Sequence, residues 1–495
     1  MNTYERICNY EKKLHPLAQK SDLAERKEPL YDERYKTACR SLFGRDRDRI
    51  IFCSPFRRLM HKTQLYVSFG LSEHNRTRLT HTVEVVQISR AIAKGLNMNE
   101  ELVEAIAYGH DIGHAPFGHA GERLINGYLN GQEAMPHRLT EMAGKQLTPI
   151  KLTNFKHNFQ SVRILNDLEI YHTYYNGLNL TYTVLEGILK HTSIYMKDTI
   201  SQYLYPDITD NDNMKNKLFL NNEFSISVEG QIVAIADEIA QVTHDINDAL
   251  RMEMLKIEDI TKFDEIKKVF SDDKTRIPLS NIKPDFFNAQ IMPSLLNHFI
   301  VFVINEMQPR LEKLSKGKNF DKSNIILENW ILKSKDKIND PAFNILKQLK
   351  HEVVLNSFYV IRMDNKGLKN IRKLFDEYLT NILQVPDSVL DNYFEHKNIE
   401  TKHLDLVQFS KSIKGNEIHF DIKNKLTDKD IEVFYNFIIG KNEKKRTENS
   451  FRLLSYDLIK KLQPHFAIDS IFLRSIADHI SGMTDFDCQK EANEF

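Results

Sequence analysis

The chain has 495 residues, 41% of them hydrophobic and 27% charged, with 68 basic side chains against 68 acidic ones. That length and balance fit a folded protein with a large core; they exclude a disordered chain and a global basic field for nucleic acid, leaving only local patches open. Eighteen glycines and 14 prolines are few for such a chain and, with long 3.6-residue periods, predict an all-α protein. Residues 1–45 read as a polar, arginine-rich N-terminal arm. The polar stretch runs on to about residue 50, and the run GRDRDRIIF that ends it suits a solvated face of alternating charge, or an arm that packs on a neighbour or helps receive an anion. In THTVEVVQISRAIAKGL, His81, Val85, Ile88 and Ile92 form one stripe, with Gly95 as the expected C-cap. In NEELVEAIAYGHDIGH, Asn99 is the expected N-cap, and Val103, Ile106, Ala107 and His110 share a face. Both histidines should therefore point inward.

Residues 126–153 show no period and predict a long loop or insertion, and helix resumes at NFQSVRIL. A polar interruption, YPDITDNDNMKNK, precedes the long helix SVEGQIVAIADEIAQVTHDINDALRMEML. There Ile232, Ile235, Ile239, Val242 and Ile246 make a core stripe, and Asp237, Gln241, His244 and Asp248 a second, polar one that could line a pocket. The expected organisation is the arm, an all-α core over 46–260, and a helical C-terminal subdomain over 261–495. Its lysine runs, KLSKGKNFDKSN and GKNEKKRTEN, suit solvated surface or a single-stranded nucleic-acid surface. No repeat and no phosphate-binding glycine loop is present. The cysteines, Cys8, Cys39, Cys53 and Cys488, form no C-x-x-C pair, so a reducing compartment is expected, without thiolate zinc or a disulfide framework. The N-terminus lacks a signal-peptide stretch, and no window reaches the roughly 18 apolar residues of a membrane span. A cytoplasmic protein is expected.

HDIGHAPFGHAGE, residues 110–122, crowds three histidines and two carboxylates into one corner. Four candidate metal ligands follow: His81, His110, Asp111 and Asp237. Adjacent helical residues diverge by about 100°, so a cation between those directions is within reach of both His110 and Asp111. A histidine and an aspartate from other helices would complete a mixed nitrogen and oxygen set. Such a set suits Mn²⁺, Mg²⁺, Fe²⁺ or Zn²⁺ and leaves positions for water and substrate oxygen.

The order H…HD…D is similar to that of the HD-domain metal-dependent phosphohydrolases. With RDRDRIIFCSPFRRLMHKTQ, RTRLTHTVEVVQISR, GHDIGHAPFGHAGE, FKHNFQSVRIL, LNLTYTVLEGILKHT and ADEIAQVTHDINDAL, the chain resembles the deoxyguanosine triphosphate triphosphohydrolase family from about residue 45 to 251. The resemblance implies a metal-dependent dNTP triphosphohydrolase, dGTP first, releasing deoxynucleoside and intact triphosphate, with Mn²⁺ or Mg²⁺ foremost and Fe²⁺, Co²⁺, Ni²⁺ or Zn²⁺ as further possibilities. It implies that His119 protonates the leaving 5′-oxygen, with Glu122 one turn later orienting it. The ion would polarise the α-phosphate or hold the attacking water. Arg78, His114 and His157 match phosphate-contacting residues. Gln64 and Leu65 match a pair beside the sugar, where close packing would reject a 2′-hydroxyl. Asp245 matches an acid on the 3′-hydroxyl. Where relatives carry tyrosine, this chain has Gln241, which can donate to phosphate but neither stack nor give a phenolic proton. The resemblance also implies a homo-oligomer, commonly a hexamer, with nucleotide or single-stranded DNA as possible effectors. The rival readings are another HD phosphohydrolase, such as a nucleotidase or a cyclic-dinucleotide phosphodiesterase, or a nucleotide- or single-stranded-DNA-sensing protein with vestigial hydrolysis.

Overall fold

The computed structural model describes residues 3–28, 40–64, 76–144, 147, 153–170, 175–192, 212–220, 224–271, 284–316, 327, 331, 338–386, 388–390, 392–393, 410–414, 417–421, 463–464 and 466–495. Among these the protein is helical apart from isolated bridges and one antiparallel hairpin, Ser410–Lys414 against Glu417–Asp421, with Ser410 opposite Asp421. None of the described helices is long and apolar enough to cross a membrane. The chain divides into two compact units: residues 1–119 with 156–366, and 120–155 with 367–495.

The first unit is built on helices that we number in chain order: α1 (Leu42–Phe52), α2 (Arg78–Gly95), α3 (Glu100–Gly109), α4 (Gly118–Leu129, which runs on into the second unit), α5 (His157–Arg163), α6 (Tyr182–Leu189), α7 (Val228–Arg251) and α8 (Pro284–Ser315). Helix α7 is the centre, packing on α2, α3, α6 and α8, while α1 covers α3. Its expected stripe, Ile232, Ile235, Ile239, Val242 and Ile246, is buried, as are Val85, Ile88 and Ile92 of α2. Helix starts are fixed by side chains that take up otherwise orphaned N–H groups. Thr77 and Thr80 form a reciprocal capping box on α2, Asn99 accepts from Leu102 N on α3, and Ser227 accepts from Gly230 N on α7.

Several expectations need correction. Gly95 is not a C-cap but the last residue of α2; Leu96 caps it, and Asn97 takes the left-handed conformation at φ 56°. A Cβ at 95 would lie 2.6 Å from Ile304 Cδ1 of α8, so any larger residue there requires the end of that side chain to shift. The expected loop over 126–153 is partly helix: α4 continues to Leu129, and His137–Ala143 forms a further helix with Leu139 buried. Leu139, Met142 and Ala143 stand at i, i+3 and i+4, but seven residues are too short a window for a period to be read. In the polar interruption, Asp212–Leu218 is likewise helical, anchored by buried Met214 and Leu218, while 205–211 lie outside the described residues.

The arginine run is not simply solvated. Asp46 is wholly buried and pairs with Arg26 at 3.0 Å, and Arg49 Nη1 donates to the carbonyls of Leu178 and Asn179 at 3.0 and 2.6 Å. These charges serve the chain's own loop, because a buried charge must be matched. Of the first lysine run only Lys313–Lys316 are described, and the second lies wholly outside the described residues.

The second unit has its own aromatic core. Phe375 stacks on Tyr128 with ring centroids 4.3 Å apart, and Tyr393, Phe466 and Phe472 form a second group. The buried Gln463 side chain accepts from Ile382 N and donates to Leu379 O, both at 2.7 Å.

Candidate metal centre

The corner that carries the histidines begins where α3 stops. His110 caps α3, and Asp111 sits in the following turn rather than on the helix. The turn is held against α5: Gly113 N donates to Ser161 Oγ and Ser161 Oγ donates to His110 O, both at 2.8 Å. A Cβ at Gly113 would meet His157 O and Ser161 N at 2.2 Å, so only glycine allows this approach. Phe117 and Gly118 then take left-handed conformations, φ 61° and 60°, to launch α4. For a buried phenylalanine that backbone costs on the order of 1–3 kcal/mol and must be held by its surroundings.

The four expected metal ligands converge. His81 Nε2 lies 3.0 Å from Asp237 Oδ1, and His110 Nε2 3.7 Å from the same oxygen. Asp111 places Oδ1 3.3 Å from His110 Nε2 and Oδ2 3.9 Å from His81 Nε2. His81, His110 and Asp111 are buried and Asp237 half-buried. A metal ion fits this donor set. His110 Nδ1 donates to Ala107 O at 2.7 Å, so its Nε2 carries the lone pair, and that buried nitrogen has no hydrogen-bond partner. A thiolate is absent from the set, and the mix of imidazole and carboxylate suits a borderline or hard divalent cation.

The electrostatics favour ligation. Burial works against the Asp111 carboxylate, yet His110, His114 and Arg78 hold it well below the usual carboxylate range. Burial opposes Asp237 in the same way, and the hydrogen bond from His81 and the field of His110 hold it down. Burial, then the nearby Arg78 and His157, keep His114 neutral. Burial and the neighbouring His81 and Arg76 do the same for His244.

Behind His81 stands a relay that sequence reasoning missed. His81 Nδ1 contacts His244 Nδ1 at 3.1 Å, and His244 Nε2 bonds Glu84, which Arg76 also contacts at 3.2 Å. With His81 ligating through Nε2, its Nδ1–H donates to His244, whose Nε2–H then donates to Glu84. The i+3 spacing of His81 and Glu84 on α2 was the available signal. His244 stood on the polar stripe without an assigned role.

Around this centre lie the expected substrate residues. Arg78 Nη1 donates to Asp111 Oδ2 at 2.8 Å, while its buried Nε and Nη2 have no hydrogen-bond partners. Gly118 leaves room for it, since a Cβ there would lie 3.2 Å from Arg78 Nη2. His114 contacts Asp111 Oδ1 at 3.1 Å and stacks on His157 at 3.9 Å. His119, exposed at the start of α4, meets both rings edge-on, 5.1 Å from His114 and 5.8 Å from His157. Glu122 follows one turn later on the same helix. Gln64, whose amide oxygen is buried without a partner, has its backbone carbonyl beside Gly118. Leu65 lies outside the described residues. Gln241 is half-buried one turn beyond Asp237 on α7. Asp245, a further turn on, is buried and pairs with Lys350 at 2.7 Å; that lysine opens a π-helical turn (Lys350–Val354) and went unnoticed in the sequence.

The HD-domain family profile matches residues 78–241, which hold all four converging ligands. A deoxyguanosinetriphosphate triphosphohydrolase-like protein of Rickettsia felis is 32% identical over 359 residues, 72% of this chain and 84% of that protein. The chain belongs to this family. Other deoxyguanosinetriphosphate triphosphohydrolase-like proteins are similar over shorter spans. That of Nitrobacter hamburgensis is 37% identical over 297 residues, 59% of this chain and 67% of that protein. That of Wolinella succinogenes is 38% identical over 275 residues, 55% of this chain and 67% of that protein. As a deoxyguanosinetriphosphate triphosphohydrolase-like protein, the chain is an HD-family phosphohydrolase, and its His/Asp cluster is one that can hold a divalent metal.

Proposed function

We propose that the protein is a metal-dependent dNTP triphosphohydrolase that releases deoxynucleoside and intact triphosphate, with dGTP the first substrate to try. The observation that supports this most is the placing of four metal-ligand side chains beside a buried arginine with two unpartnered nitrogens and three clustered imidazoles. Polyphosphate carries several negative charges, and Arg78 can answer them with Nε and Nη2 while Nη1 stays on Asp111. A divalent ion held by His81, His110, Asp111 and Asp237 would supply Lewis-acid charge at the α-phosphate.

The chain's own residues carry the remaining steps. His114 and His157 line the phosphate path. The leaving 5′-oxygen is a poor leaving group, and His119 gives it a proton as the P–O bond breaks. Glu122, one turn along α4, orients that ring. Gln64 packs beside the sugar, Asp245 takes the 3′-hydroxyl, and Gln241 donates to phosphate.

The test is product analysis: each of the four dNTPs with Mn²⁺ or Mg²⁺, resolved by anion exchange. Deoxynucleoside and triphosphate are expected. Pyrophosphate with monophosphate, or stepwise orthophosphate, would point to another HD phosphohydrolase. No turnover of any dNTP would point to a sensing protein.

A further inference from the structure

Asp245 does not stand alone on α7. Lys350 Nζ lies 2.7 Å from its Oδ2, both side chains are buried, and among the described residues neither has another ion-pair partner. Arg76, the other cation at this end of α7, is taken by Glu84 and Asp248 at 3.2 and 3.4 Å. Lys350 comes from the stretch that follows the helix Pro341–Leu349, where Lys350–Val354 wind as a π-helix and pack on α7. Such a turn re-aims the side chains around it and recurs at functional sites. On α7, Asp245 directly follows His244, whose ring meets the metal-centre histidine His81 at 3.1 Å. The carboxylate is thereby fixed to the same stretch of helix as the relay behind the metal centre.

Burying an ammonium and a carboxylate strips both of water, and an apolar pair of similar volume often serves a fold as well or better. The pair therefore points to a role beyond stability. A lysine ammonium is a point donor, unlike the arginine fork, and on Oδ2 it leaves Oδ1 able to accept a hydrogen bond. We propose that Lys350 is a positioning residue: by holding Oδ2 it sets the Asp245 carboxylate so that Oδ1 meets the sugar 3′-hydroxyl, and so makes the site demand that hydroxyl. The inference rests on the place given to Asp245 in the proposed function. Lys350 touches no substrate atom and acts through Asp245. A nucleotide without the 3′-hydroxyl leaves a buried carboxylate oxygen facing a C–H group, which costs binding.

The test compares dGTP with 2′,3′-dideoxyGTP by titration calorimetry on the full-length protein, with Ca²⁺ in place of Mn²⁺. The wild-type chain is expected to bind dGTP about 10- to 100-fold more tightly. Lys350→Met should bind the dideoxy nucleotide as the wild type does and prefer dGTP by no more than about threefold. Lys350→Arg keeps a cation on the carboxylate and so guards against loss of the fold. Its fork takes both oxygens, so it too should lose the preference. Equal binding of the two nucleotides by the wild type, an unchanged preference in either folded variant, or an equal loss for both nucleotides would overturn the proposal and leave the pair a structural one. Turnover of dGTP with Mn²⁺ is assayed on the same preparation. Turnover without a 3′ preference removes the role of Lys350 and keeps the hydrolase, and a preference without turnover does the reverse.

Discussion

A neutral imidazole binds a cation only through the nitrogen that carries no proton, and this chain makes that choice with a hydrogen bond to the other nitrogen. His110 is held by the carbonyl three residues back, while His81 is held by another histidine. His119 differs from them in being exposed, at the start of α4 and beside the imidazoles of His114 and His157. The proposed function gives it the part of proton donor rather than ligand. His119→Ala should therefore keep its bound metal and its affinity for dNTP and lose turnover by about 10²- to 10⁴-fold. Near-normal turnover, or lost metal, would remove His119 from the acid role. The glycines are as decisive as the histidines: a methyl group at Gly113 would strike the backbone of α5 and push the histidine corner off His157.

Helices α2 and α7 each present one dry face and one polar one, and the site forms where the polar faces meet. Glu84 and His244 belong to those faces and join the ligand set through His81. Glu84→Ala should weaken Mn²⁺ binding about 10- to 100-fold in a direct titration, because His244, which orients the His81 ring, loses the carboxylate that holds it. Unchanged affinity would leave the relay without a role in ligation. Glu229, in the first turn of α7, presents a different case. Its carboxylate accepts from Gln19 N and Asn99 N, and burial pushes it up to about 7. The folded chain then holds a proton that the unfolded chain releases above its ordinary value of 4.5. Stability should therefore fall as pH rises from about 4.5 to 7, by on the order of 3 kcal/mol, and level off beyond. Glu229→Gln should erase that slope when Tm is followed from pH 5 to 8; parallel curves for the two proteins would refute it. The stripes of α2, α3 and α7 and the four side chains that converge were legible because a 3.6-residue period and the chemistry of histidine and aspartate are local properties of a sequence. Lys350 and the buried Arg26–Asp46 pair were not, since their meaning comes from partners far along the chain.

At the scale of the whole molecule, neither compact unit is a continuous stretch of chain. Each gathers segments from both halves of the sequence, an arrangement that periodicity cannot announce. Every group assigned to metal and phosphate except Glu122 lies in the first unit. The second unit, closed by its own aromatic cluster, takes no part in that assignment beyond the carboxylate on α4. The central claim is thus chemical: one set of side chains directs water to the α-phosphorus of a deoxynucleoside triphosphate. Hydrolysis of dGTP in ¹⁸O-water with Mn²⁺, with both products weighed by mass spectrometry, tests it most directly. Unlabelled deoxyguanosine and intact triphosphate carrying the label are predicted. Label on the nucleoside, or any product in which the triphosphate has been broken, would contradict it.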